Sequence, residues 1–197
     1  MKHKLLWAYI ALLYPALCLS SPAHNKHLVE ASPEKMISYS EKTTGSNIKS
    51  GHAAAIINYN HNDVASVLME YDRYNEFLPF ISESKILVPN NGNSKFRITA
   101  KILHGAVKLT AIVKSKTYSD LDYSRHVIIA LVEGDVKRLN ISFKVKRLSK
   151  QKSLLVVSFL VDPDLWFVRD STLSRYNRVN ARRTARSIRL RMKWRET

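Results

Sequence analysis

The residues of this 197-residue chain that could do chemistry fall into two groups: scattered histidines and carboxylates, and a dense C-terminal row of arginines. Of its seven histidines, His52, His61, His104 and His126 lie in the body of the chain. None has a second ligand at metal-binding spacing, so neither a metal centre nor a cofactor is expected. His126, inside the apolar run SRHVIIALVE, is expected to be a satisfied core histidine, with a cavity-facing acid or base as the alternative. The sixteen carboxylates form no close pair in an apolar setting, which removes paired-carboxylate catalysis. HExxH, GxSxG and glycine-rich phosphate loops are absent from the sequence. What remains is the row Arg175, Arg178, Arg182, Arg186, Arg189 and Lys193, spaced to form one stripe of a helix. Such a stripe is read equally as a plain solvated helix face or as a functional one: guanidinium groups pair bidentately with phosphate, which fits an anionic membrane surface or a nucleic-acid backbone. From Arg169 onward ten Lys or Arg face only Asp170 and Glu196, which is half of the net charge of +16.

The elements that must carry these residues can be read from periodicity. KMISYSEKT and NIKSGHAAAIINY flank Thr44-Gly45-Ser46 as a hairpin. Asn60 to Asp63 supply a helix N-cap, and Val64, Val67, Leu68 and Tyr71 follow at helical spacing. Asp72 is placed to cap a second short helix ending at Pro79. In MEYDRYNEFLPF, Tyr71, Tyr74, Phe77 and Leu78 share one inward face, which favours core packing over an exposed aromatic grip.

Beyond Pro79 the period becomes two. Phe96, Ile98, Ala100 and Ile102 alternate with polar residues, as do Val107, Leu109, Ala111 and Val113, and Leu139, Ile141, Phe143 and Val145. Such alternation predicts antiparallel strands with one covered and one wet face. SRHVIIALVE and SLLVVSFLV are more uniformly apolar and are expected to be covered on both sides, and DLD at 120–122 is expected to be a turn. A helical period returns after Pro163, with Ala181, Ala185, Ile188 and Met192 on an apolar stripe beside the arginines. The order predicts an α+β fold in which a curved sheet carries a long C-terminal helix.

Residues 1–23 have the form of a secretory signal: a cationic Met-Lys-His-Lys start, an apolar run from Leu5 to Leu19, then Ser20 and Ala23 as cleavage positions. Residues 24–34 are polar and aperiodic, a tether before a domain at 35–197. Cys18, the only cysteine, follows Leu17 rather than a small residue, which argues against lipidation. Its removal with the leader would leave no thiol for catalysis or disulfides. The expected location is therefore outside the cytoplasm, as in a periplasm. That location disfavours nucleic acid as the partner of the arginine stripe, and favours anionic membrane.

Several stretches resemble the START-like, or SRPBCC, helix-grip superfamily, with the coenzyme Q-binding/polyketide cyclase branch most similar. VASVLMEYDRYNEFLPFISESKIL resembles that branch's first helix pair, and LVEGDVKRLNISFKV its strand, Glu-Gly turn and strand. ISYSEKTTGSNIKSG is similar to an extra N-terminal hairpin of bacterial members, and the final helix follows the last strand as it does there. Phe143 stands where a tryptophan is frequent, and the last helix is richer in arginine than the family pattern.

The resemblance implies about seven antiparallel strands wrapped around the C-terminal helix, with two short helices after the first strands and a tunnel for an apolar ligand, a lipid or an isoprenoid quinone. Phe96, Ile98, Val107, Leu109, Ile129, Leu131, Phe143 and Phe159 are the candidate lining, with Phe77 beside the mouth. The function expected is a non-enzymatic exported binding protein, a carrier or chaperone at the membrane surface. The alternatives are a cyclase/aromatase-like enzyme using His126 or a tyrosine, and a basic ribosome- or nucleic-acid-associated module.

Overall fold

The strong alternation of apolar and polar side chains from residue 37 onward resolves into strands, and the two helical stretches into helices. The computed structural model describes residues 36–119 and 124–195. The leader, the tether and the turn expected at 120–122 lie outside the described residues. In order, the elements are β1 (Ile37–Thr43), β2 (Ser46–Ile57), α1 (His61–Leu68), a 3-10 turn (Tyr71–Arg73), α2 (Tyr74–Phe77), β3 (Ile81–Val88), β4 (Lys95–Ile102), a second 3-10 turn (Leu103–Gly105), β5 (Val107–Ser119), β6 (Ser124–Gly134), β7 (Arg138–Ser149), β8 (Lys152–Asp162) and α3 (Asp170–Trp194).

One antiparallel sheet contains eight strands in the order β1-β2-β8-β7-β6-β5-β4-β3. The count exceeds the expected seven by one because the N-terminal hairpin adds β1 as an edge strand, paired from Ile37↔Ala54 to Thr43↔Ser46. From β2 the chain crosses to the far edge through α1 and α2, then returns as a meander from β3 to β8. This is the START-like helix-grip fold: a curved sheet holding the long helix α3 against its inner face.

The predicted inward faces are the buried ones. Phe96, Val113, Val127, Val145, Leu155 and Val157 are fully buried, and Ala181, Ala185, Ile188 and Met192 meet them from α3. Two runs depart from expectation. In β6 only Val127 and Ile129 are buried, while Ala130 and Val132 face out exposed. In β8 the residues between Ser153, Leu155, Val157 and Phe159 are only half covered. Among the described residues no layer covers the outer face of this part of the sheet, so these apolar runs reflect strand propensity as well as burial.

Asn60 caps α1 as expected, its Oδ1 accepting from the Asn62 N–H at 2.8 Å. Asp72 makes no corresponding cap: it sits inside the 3-10 turn, and α2 starts from Arg73 without a side-chain cap. The tight turn takes up the residues that a longer helix would have used. Tyr71, Tyr74, Phe77 and Leu78 are all buried, with Tyr71 stacked on Phe96 at 4.7 Å and Tyr74 edge-on to it at 6.0 Å. The Tyr74 hydroxyl donates to the Leu68 carbonyl at 2.6 Å, which locks α2 to the end of α1.

Two glycines set the frame. At Gly134 (φ +146°) a Cβ would lie 2.4 Å from the Thr110 carbonyl oxygen, where β5 and β6 shift register. The following Asp135 closes this corner by accepting from Thr110 N–H at 2.9 Å and donating its own N–H to Thr110 at 2.8 Å. That is the physical content of the Glu-Gly turn. At Gly51 the backbone of α3 rests directly on β2: a Cβ there would meet the Asn177 carbonyl carbon and the Arg178 nitrogen at 2.2 Å.

Candidate functional site

Where α3 leaves the sheet towards its N-terminal end, a cavity of about 50 Å³ remains. Its walls come from Ile98, Ala100 and Ile102 of β4, Leu109 and Ala111 of β5, Leu139 and Ile141 of β7, and Phe159 and Val161 of β8. Phe80, Ile81, Val136 and Pro163 close its ends, and Leu173, Tyr176, Asn177 and Asn180 of α3 form its roof. No Asp, Glu, Lys, Arg or His belongs to this wall. The strand residues reach it because β-strand side chains alternate, so each strand contributes every second residue to one concave face.

Of the expected lining residues, Ile98, Leu109 and Phe159 stand on the wall. Phe96, Ile129 and Phe143 are buried in solid core beyond it, and Val107 and Leu131 are half-buried against that core. They share the inward face, but there the space is already filled: Tyr71 and Tyr74 pack on Phe96, and α1 lies over β6, β7 and β8. Phe77 is likewise displaced from the mouth. Its ring lies under Arg191 at 5.5 Å, near the opposite end of α3, and Phe80 takes the wall position instead. Periodicity gives the face of a strand; it does not tell how far along the strand the helix lies close.

Sequence periodicity also missed the polar roof. Leu173, Ser174, Asn177, Asn180 and Thr184 are buried on α3 although four of them are polar. Asn177 is fully used. Its Oδ1 accepts from the Val161 N–H at 3.2 Å and its Nδ2 donates to the Lys49 carbonyl at 3.1 Å. Ser174 accepts from the Lys49 N–H at 2.9 Å and donates to the Asp170 carbonyl at 2.7 Å. These bonds tie α3 to β2 and β8 and place the roof. Asn180 Oδ1 and Thr184 Oγ1 are buried without a partner among the described residues.

His126 does not face the cavity. It lies on the outer face of β6 beside Tyr118, with ring centroids 6.1 Å apart, because its inward neighbour is Val127. Burial, helped by Lys144 opposite, lowers its pKa. His61 is buried at the start of α1 and its pKa is lowered by burial, then by Arg125 and Arg147. A third histidine was not distinguished by sequence spacing. His52 Nε2 lies 2.8 Å from Ser50 Oγ and 3.4 Å from Glu41, while Nδ1 lies 2.9 Å from Ser158 Oγ. This serine–histidine–carboxylate set is on the outer face of β1, β2 and β8, stacked under Tyr39 at 4.9 Å.

The arginine stripe is mostly exposed, as expected for Arg175, Arg178, Arg182, Arg186 and Lys193. Arg189 departs from it: its guanidinium is half-buried and donates to the Ile56 carbonyl at 3.1 Å. Arg178, Arg182, Arg183, Arg186 and Arg189 converge on an open hollow beside Met36 and Ser38, and none of them has an ion-pair partner among the described residues. A second exposed feature lies at the other end of the cavity. The loop between β8 and α3 presents Trp166, 94% exposed, and Phe167, 56% exposed. Leu173 lines the cavity on one side, and on the other a surface cleft shared with Trp166, Lys137 and Arg138. Among the described residues no helix is long and apolar enough to span a membrane.

A curved open sheet, a helix roof and an apolar hollow between them are features shared with known proteins. The family described as polyketide cyclase / dehydrase and lipid transport matches residues 57–184. The chain belongs to that family. The matched span of this lipid-transport/cyclase family member runs from the end of β2 through most of α3, and so includes the whole cavity wall. Its fold is similar to that of a STAR-related lipid transfer protein fragment from Xanthomonas axonopodis (TM-score 0.72, 10% identity, covering 82% of this chain and 96% of that one). It is similar also to human StAR-related lipid transfer protein 5 (0.66, 10% identity, 83% and 85%). The Zhui aromatase/cyclase from Streptomyces sp. R1128 shares it at TM-score 0.54 and 12% identity, over 83% of this chain and 97% of that one. No curated protein sequence matches the chain.

Proposed function

We propose that this protein binds a hydrophobic ligand, a lipid or isoprenoid quinone, between the sheet and α3, and exchanges it at an anionic membrane surface outside the cytoplasm. The observation that carries the reading is the cavity wall: apolar on every strand, uncharged, and separated by Leu173 from the exposed Trp166–Phe167 loop. Small-molecule sites are typically about 300–1,000 Å³, so the 50 Å³ hollow must dilate to admit such a ligand. The opening lies at Leu173, since Ser174 and Asn177 hold the rest of the roof to β2 and β8. α3 follows a loop at its N-terminal end, and displacement of Leu173 joins the hollow to the surface cleft beneath Trp166. Aromatic side chains favour the membrane–water interface, and basic residues the headgroups of anionic lipids. Lys137 and Arg138 border the cleft beneath the loop together with Asp162, Asp164 and Asp170, Lys137 pairing with Asp164 at 3.5 Å, so the positive surface is supplied chiefly by the arginine face of α3. The leader-like residues 1–23 support a site of action beyond the inner membrane.

The wall's one titratable side chain is Tyr176, with no imidazole, carboxylate or amine beside it to act as a second acid or base, which favours a carrier over a cyclase. Extraction of the purified protein with organic solvent, followed by mass spectrometry, is expected to yield a stoichiometric apolar molecule. Ala100→Leu, which fills the hollow, is expected to reduce its recovery. Absence of any such molecule, together with failure of added lipid or quinone to bind, would refute the reading. Trp166→Ala is expected to weaken partition onto vesicles of anionic lipid about tenfold, a change of about 1.4 kcal/mol, within the range for burying one large apolar side chain. Unchanged partition would remove the loop from the membrane contact.

A further inference from the structure

Two asparagines one turn apart on α3 are used very differently. Asn177 has both ends of its amide bonded to backbone, and so is a structural clamp. Asn180, 3% exposed, borders the cavity with its Oδ1 unpartnered. One further turn along, Thr184 Oγ1 is also buried and unpartnered. Helix interiors at apolar contacts are normally filled by apolar residues, as Ala181, Ala185 and Ile188 do on the same helix. A buried oxygen without a partner is unfavourable, whereas an apolar replacement of similar shape would be nearly neutral. Its presence at the wall of an otherwise apolar hollow is accounted for by a group that enters and bonds to it.

We infer that the cavity is built for an uncharged, apolar molecule carrying a hydroxyl group, whose O–H is received by Asn180 Oδ1. The inference rests on the reading of this hollow as the ligand site, and it specifies the ligand's polar end. The chemistry discriminates among polar groups. An ionised carboxylate or an ammonium would be desolvated against Ile98, Leu109, Ile141 and Phe159 with no opposite charge on the wall. A ketone or quinone carbonyl only accepts, so it could bond to the Asn180 Nδ2–H but leaves Oδ1, the unpartnered atom, unsatisfied. A hydroxyl donates to that oxygen and can still accept from a second donor. Thr184, one turn along, offers such a donor once a ligand has widened the hollow.

The test uses the full-length protein and four eight-carbon probes measured by calorimetry: 1-octanol, 2-octanone, octanoate at pH 8, and octane. Octanol is expected to bind about tenfold more tightly than octanone or octane, and octanoate more weakly than octanol. Asn180→Leu is expected to remain folded, since it removes an unpaired polar group, and to bring octanol to the level of octane. The ranking of the four probes on the unaltered protein stands independently of that variant. Octanone or octane equal to octanol, octanoate the tightest probe, or an octanol preference that survives Asn180→Leu would each overturn the hydroxyl assignment while leaving a cavity that binds apolar molecules. The first of these outcomes would also result if internal water already satisfies Asn180, since the hollow exceeds the roughly 10–15 Å³ that one water requires. Failure of all four probes to bind would overturn this inference together with the cavity reading.

Discussion

Gly51→Ala tests how closely α3 grips the sheet. The substitution reads as stabilising by local rules. Gly51 lies within β2, and alanine in place of glycine reduces the freedom of the unfolded chain, by about 0.4–1 kcal/mol. The tertiary contact opposes this. The new methyl would stand 2.2 Å from the Asn177 carbonyl carbon and the Arg178 nitrogen, both backbone atoms that have no rotamer to escape into. Reaching ordinary contact at 3.4 Å requires the helix to retreat by about 1 Å. Overfilling a close-packed contact costs about 1–3 kcal/mol. The retreat also stretches the Asn177–Lys49 and Asn177–Val161 bonds, at 3.1 and 3.2 Å, each contributing about 1 kcal/mol. The net expectation is a loss of about 3 kcal/mol. For a domain of this size that lowers the melting temperature by roughly 6–12 °C, readable by circular dichroism. Gly105→Ala is the control: its Cβ would meet nothing within 4 Å, so only the positive φ of +91° opposes it, at about 1–2 kcal/mol. A Gly51→Ala protein as stable as the parent would refute the close seating of α3 on β2, and with it the geometry of the cavity roof.

Arg191 is 11% exposed, bridges Glu70 at 3.0 Å and Glu76 at 2.9 Å, and covers Phe77; Glu70 also pairs with Arg195. Arg191→Ala is expected to cost about 3 kcal/mol in urea unfolding, because it leaves Glu70 buried with less of its counter-charge, whereas a loss below about 1 kcal/mol would class the pair with ordinary surface bridges. The buried Tyr74 hydroxyl has its pKa raised well above 10.0, chiefly by burial and then by Tyr71 and Glu70. Its contribution to stability is therefore complete below pH 10 and declines as the pH rises above it, since only the unfolded chain then ionises readily. Tyr74→Phe is expected to be about 1–2 kcal/mol less stable at pH 8, through the lost bond to Leu68, yet to lose less stability between pH 9 and 11 than the parent. Parallel pH profiles for the two proteins would count against a buried, neutral phenol.

Much of this architecture was legible in residue order. Alternation in β4, β5 and β7 and the helical spacing in α1 and α3 name the buried faces correctly, because both periods follow from backbone geometry that neighbours cannot change. The aromatic cluster of Tyr71, Tyr74 and Phe77 was legible as core for the same reason. The position of the cavity along those faces was not. Phe96 and Ile98 belong to one face of one strand, yet Phe96 is locked under Tyr71 and only Ile98 reaches the hollow. His126 shows the complementary limit: an apolar neighbourhood in sequence placed it on the outer face, since its parity is opposite to that of Val127 and Ile129.

By itself the sequence determined the order of strands and helices, their inward faces, the positive charge of the last helix, and the family to which the chain belongs. All but the last follow from local periodicity and composition, which each segment carries wherever it is placed; the family is read from the resemblance of particular stretches and the matching family model. Only the tertiary structure decided that Gly51 is a seat for α3, that Asn177 is a clamp and Asn180 an unpartnered neighbour of the cavity, and that Trp166 stands almost wholly in solvent beside Leu173. Each of these depends on the distance between elements far apart in the chain. That distance is set by side-chain volumes summed over a whole interface, which no single stretch of residues contains.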